Sequence, residues 1–195
     1  MKIFGSAKGL LPVAGALVSA FLLAGCYLSE VPFITPEAAD YPIVSNSHFD
    51  AYGRRGTGWR PLPEGRTVRL SDGYYYYRND GSDRTSVPFL MKEISENRYV
   101  VQANDTSTFA RVSEYYYYLV DFDGTEAIQY SGSCRPLQEW IDNGIIADIE
   151  RTSFNLRCAF DSFENLVTVL EGATEFVSPE ERFVLSSAPA EPAPN

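Results

Sequence analysis

The stretch SEYYYYLVDFDG, residues 113–124, places four consecutive tyrosines ahead of Leu119, Val120 and an acidic turn. Tyrosine has high strand propensity, and side chains alternate across a strand, so Tyr115 and Tyr117 oppose Tyr116 and Tyr118. The same run occurs in SDGYYYYRNDG, residues 71–81, where Tyr74 and Tyr76 oppose Tyr75 and Tyr77. At the 41-residue offset between the runs the flanks do not match, since Arg78-Asn79-Asp80-Gly81 meets Leu119-Val120-Asp121-Phe122. They are therefore two strands and not copies of one repeat. One pair from each run can enter a core, and the other pair must lie under a covering element or face water. A face formed by Tyr75, Tyr77, Tyr116 and Tyr118, with Trp59 nearby, is the candidate binding face. Such amphipathic aromatic surfaces stack on sugar rings and act as protein hot spots. The alternative is two ordinary strands packed across their neighbours.

Working outward, the segments TVRL, YYYYR, SVPFLMKEI, RYVVQAN, EYYYYLVDF and EAIQYS are short and rich in β-branched and aromatic residues. The turn signals SDG, RNDGSD, SEN and DFDG separate them, which predicts consecutive hairpins in an antiparallel meander. Asp123-Gly124 suits a type I′ turn. After Cys134 the period changes. Leu137, Trp140 and Ile141 fall at helical spacing, with Pro136 in the first turn and Gly144 at the stop. FNLRCAF reads as one more strand. In DSFENLVTVLEG, Asp161 and Glu164 form a capping-box-like pair ahead of the stripe Phe163, Leu166, Val167 and Leu170. Ser178-Pro179-Glu180-Glu181 reads as a turn and RFVL as a closing strand. The expected fold is α+β: an antiparallel meander sheet partly covered by two C-terminal helices, spanning residues 46–186.

The chain begins MKIFGSAKGLLPVAGALVSAFLLAGC, with Lys2 and Lys8 ahead of an apolar run that ends in Leu23-Ala24-Gly25-Cys26. A basic segment, an apolar segment and small residues form a secretory signal. The last four residues resemble the lipobox of bacterial lipoproteins, a likeness confined to residues 1–26. It implies removal of residues 1–25 and acylation of Cys26, whose thiolate is the nucleophile. Several acyl chains give stable anchoring where one does not. Tyr27 stands where aspartate would imply retention in the inner membrane, so the resemblance implies an outer-membrane protein facing the periplasm. Prolines 32, 36 and 42 make residues 26–45 read as a tether, and the Pro/Ala-rich residues 187–195 as a disordered tail.

Of 16 basic residues, two lie in the signal, so the remaining chain opposes 14 to 26 acidic ones, a net charge of −12. That balance is poor for binding nucleic acid and repels anionic lipid. Against it, Arg54, Arg55, Arg60, Arg66 and Arg69 form a local basic cluster. In an oxidising compartment Cys134 and Cys158 read as a disulfide. His48 is the only histidine, no Gly-x-Ser-x-Gly turn is present, and the acidic turns lack the calcium-loop spacing. The reading is a non-enzymatic protein with no catalytic residue, no metal and no cofactor, anchored to a membrane by lipid and binding a cell-envelope protein. A glycan such as peptidoglycan is the alternative ligand. Inhibition of a cationic hydrolase such as lysozyme is a further alternative, suggested by the acidity.

Overall fold

A computed structural model describes residues 27–79, 87–104, 114–131, 134, 137–151, 156–172 and 178–186. The elements in chain order are β1 (Tyr27–Ser29), β2 (Ser47–Arg55), β3 (Gly58–Pro61), β4 (Arg66–Ser71), β5 (Tyr74–Asn79), β6 (Val87–Ser95), β7 (Arg98–Asn104), β8 (Tyr115–Phe122), β9 (Glu126–Ser131), α1 (Gln138–Asp142), β10 (Asp148–Arg151), β11 (Leu156–Ala159), α2 (Phe163–Gly172) and β12 (Ser178–Leu185). Eight strands close on themselves in the order β8-β7-β6-β5-β4-β2-β12-β9 and back to β8, each pair antiparallel.

The fold is thus a closed barrel, and the α+β expectation is corrected: 57% of the described residues are strand and the two helices among them are short. The meander from β4 to β9 forms as expected. Its two edges are joined by β2 and β12, which pair with each other over Phe49↔Leu185 to Gly53↔Glu181. Closure removes the unpaired strand edges that an open meander would present. Residues 178–181, read as a turn, belong to β12.

Both faces of the wall are apolar, which explains why both parities of each tyrosine run are needed. Inside the barrel lie Phe49, Val68, Tyr75, Phe89, Met91, Tyr99, Val120 and Phe122. An eight-stranded barrel is just wide enough for side chains to fill it. Outside, Leu90, Val100, Tyr117 and Leu119 meet Trp140, Phe160, Leu166 and Leu170 from the α1 and α2 region. Beyond Tyr117 strand β8 changes partner. Its residues 119–122 pair with β9, while Tyr115 and Tyr116 pair with β1, which continues into β11 and β10.

The local signals were mostly obeyed. Asp72 (φ 52°) and Gly73 (φ 78°) form the type I′ turn, because two left-handed residues join strands whose twist they match. A Cβ at Gly73 would also stand 3.2 Å from Pro36 Cβ. The I′ turn expected at Asp123-Gly124 is instead an Asx turn: Asp123 Oδ1 accepts from the backbone of Thr125 and Glu126, at 2.8 Å each. Gly144 (φ 68°) follows α1 as expected. At α2 the cap is Ser162, whose Oγ accepts from Asn165 N at 3.2 Å, rather than Asp161.

Residues 27–45, read as a tether, are tied to the barrel at several points, although Val31 and Val44 are exposed. β1 is buried throughout. Phe33 stacks on Tyr117 at 5.4 Å, and Ile34 is bound through both backbone groups to the amide of Gln102. Asp40 pairs with Met91 along the stretch of β6 that β5 does not cover, and Ile43 exchanges hydrogen bonds with the Tyr75 hydroxyl at 2.7 and 2.9 Å. The prolines here shape a strap across the barrel wall. Cys134 and Cys158 form the expected disulfide. Cys26 and residues 187–195 lie outside the described residues.

Candidate functional site

The tyrosines proposed as a binding face share one face of the sheet, and for three of them that face is the inside of the barrel. Tyr75 is 0% exposed, and Tyr77 and Tyr118 pack against the same interior cluster. Cross-strand register explains the placement, since Tyr75 lies opposite Phe89 and Tyr118 opposite Val101. Burial pushes the Tyr75 hydroxyl up to about 12. Tyr116 is also buried but lies where β8 has left β9. Its hydroxyl donates to Glu114 Oε2 and accepts from Arg157 Nη2, both at 2.8 Å, with the guanidinium 5.4 Å from the ring centre. Burial raises that hydroxyl to about 12 as well. An exterior aromatic platform from these four residues is not formed.

Trp59, the fifth member, is placed differently. Pairing of β2 with β4 ends at Phe49, and pairing with β12 ends at Gly53. Beyond these points β2 is held on one edge only by β3, so the two form a hairpin arm that turns at Gly56 (φ 63°). The arm presents Arg54, Arg55 and Arg60 to solvent, with Trp59 half-buried directly opposite Arg54. Arg54 Nε donates to the carbonyl of Gly56, at 3.4 Å. Among the described residues none of these three arginines is in an ion pair, whereas Arg98, Arg157 and Arg182 each hold a carboxylate. Behind the arm, Arg182 lies 5.9 Å from the Tyr52 ring centre and pairs with Glu126. Of the five arginines that sequence reading grouped, Arg54, Arg55 and Arg60 lie on the arm, while Arg66 and Arg69 belong to β4, with Arg66 buried.

At the root of the arm the half-buried Glu181 carboxyl lies within the electrostatic reach of the buried Arg66, a juxtaposition that sequence reasoning missed. Glu181 lies opposite both Gly53 of β2 and Gln129 of β9, beside a register shift in the β12–β9 ladder. Leu62 covers Gly53 so closely that a Cβ there would be 3.1 Å from its Cδ2. Arg66 of β4 is buried opposite Asn79 of β5, and its Nη1 reaches the carbonyls of Glu64 and Gly65 at 3.5 and 3.4 Å. Arg60 shares the face through its pairing with Gly53. Burial pushes the Glu181 carboxyl up to about 7, against the attraction of Arg66 and with the help of Glu180.

The sign of the consequence follows from linkage. The carboxyl ionises near 4.5 in the unfolded chain and near 7 in the folded one. Its contribution to stability is fully present below 4.5 and is lost as pH rises through 7. Glu181→Gln keeps the neutral form. It should gain roughly 2–3 kcal/mol on the native protein between pH 4.5 and pH 8. Urea titrations of both proteins at those two pH values check this, and parallel pH profiles would refute it.

Among the described residues no group of three or more His, Cys, Asp or Glu is arranged to hold a metal ion, and no helix is long and apolar enough to cross a membrane. His48 lies on β2 with its Nδ1 3.2 Å from Thr67 Oγ1. No family model, curated protein or solved structure matches the chain. The fold defines a class by architecture: a small disulfide-bonded antiparallel barrel with a basic hairpin arm.

Proposed function

We propose that this is a lipid-anchored protein of the outer membrane, facing the periplasm, that binds a cell-envelope protein without catalysing a reaction. The arm of β2 and β3 is its contact surface. The observation that carries the reading is the set of three exposed arginines beside Trp59, unpaired among the described residues, in a chain of net charge −10. Long basic side chains in so acidic a protein would ordinarily be neutralised internally. Held apart on a hairpin, they suit an acidic protein surface, because the guanidinium fork binds carboxylates in bidentate geometry. Arginine and tryptophan are also the residues that most often dominate interface energetics. The anchor reading rests on the lipobox ending at Cys26.

The test is in-cell photo-crosslinking from Thr57, at the tip of the arm, with the anchor intact. A discrete protein adduct is expected, and it should fall at least tenfold when Arg54, Arg55 and Arg60 are all changed to glutamate. An adduct indifferent to that charge reversal, or none at all, would sink the arm as the contact surface. Retention of the protein on purified cell-wall sacculi, lost on the same substitutions, would favour the glycan ligand instead.

A further inference from the structure

We infer that a tie of one residue holds the domain against the bilayer through the corner where α1 meets β1. This rests on the lipid-anchor reading above. A flexible tether the length of residues 26–45 would let the domain roam about 25 Å from the headgroups. The structure leaves no such tether. Tyr27 is the first residue of β1, 1% exposed, with its ring 5.9 Å from Phe160, and its Cα partner across the sheet is Cys158. Cleavage before Cys26 would leave the acylated residue one peptide step, about 3.8 Å, from a buried strand. The anchor then fixes which part of the surface meets the headgroups.

That part can be followed along covalent bonds. Cys158 is joined to Cys134, with 5.6 Å between their Cα atoms. Leu137 follows three residues later, within about 11 Å of Cys134 even if the chain is fully extended. Leu137 and Ile141 are 38% and 37% exposed, while Trp140 between them is buried against the outer core. Leu137 is the N-cap of α1 and Ile141 lies in its only full turn, with Ile141 N donating to Leu137 O at 3.4 Å, so the two sit at the same end of the helix surface. They are apolar side chains turned to solvent beside Trp140, which shares one buried cluster with Tyr27, so the short tie brings them toward the bilayer and the interfacial region accommodates them. Glu139 and Asp142, also exposed on α1, make a zwitterionic surface the better partner than an anionic one.

The full lipidated protein in phosphatidylcholine nanodiscs doped with a nitroxide-headgroup lipid provides the test. Methyl signals of Leu137 and Ile141 should relax at least threefold faster than those of Leu70, which is also exposed but lies on β4, four strands round the barrel from β8. A fifteen-residue Gly/Ser insertion between Cys26 and Tyr27 should abolish the contrast. Equal relaxation at all three positions, or a contrast that survives the insertion, would overturn the inference. Loss of the anchor reading itself registers separately, as absence of palmitate incorporation that depends on Cys26.

Discussion

Gln102→Leu is expected to lower the stability of the fold by about 4 kcal/mol, although leucine matches the glutamine in size and sits in apolar surroundings. The side-chain amide of Gln102, itself buried, acts as a substitute strand for the strap. Its Oε1 accepts from Phe33 N at 2.7 Å, from Ile34 N at 2.8 Å and from the Tyr117 hydroxyl at 3.1 Å, while its Nε2 donates to Ile34 O at 2.8 Å. Removing the amide strands the backbone N–H and C=O of Ile34, each at a cost of about 1–3 kcal/mol, while Phe33 N keeps the Tyr117 hydroxyl at 3.3 Å. The Tyr117 hydroxyl keeps Ser29 as a partner at 2.8 Å and so offsets part of the loss. Tyr117→Phe, which leaves Gln102 in place, should cost only about 1.5 kcal/mol. Urea unfolding gives the totals. Amide exchange at Phe33 and Ile34 should accelerate at least a hundredfold in Gln102→Leu, and unchanged exchange there would show that the strap is held by other means.

Replacing Cys134 and Cys158 by serine is expected to cost about 3.5 kcal/mol, the chain-entropy value for a closed loop of this size. The two cysteines are 24 positions apart, and the bridge ties the chain leaving β9 to β11, the strand on which β1 lies. Both are buried, so a reductant should act slowly on the native protein and quickly once urea opens it. The expected result is a lower urea midpoint with an undiminished slope. A loss below 1 kcal/mol would mean that the packing of Trp140 and Phe160 already holds this corner without the bridge.

β4 to β9 were readable because turn residues and β-branched or aromatic runs alternate there at short range, and local conformational preference is a property of the chain. The helices were readable from spacing, and the cysteine pair from compartment and count. β2 was not readable: SHFDAYGRR looks like a loop entry because its partners, β12 and β4, lie elsewhere in sequence. The strap was misread for a related reason. Prolines signal a break in regular structure and not an absence of packing, and only Gln102, 68 residues from Ile34, makes that backbone a place to bind.

The sequence by itself determined the strands of the meander, the two helices, the pairing of Cys134 with Cys158 and the expectation of a lipid anchor at Cys26. Tertiary structure alone decided closure of the barrel, the inward placement of Tyr75, Tyr77 and Tyr118, the exposure of the arginine arm and the desolvation of Glu181 within reach of Arg66. The division has one physical cause. Alternation assigns side chains to two faces of a strand, but which face becomes interior depends on the register between strands distant in sequence, and that register is set only when β12 joins β2.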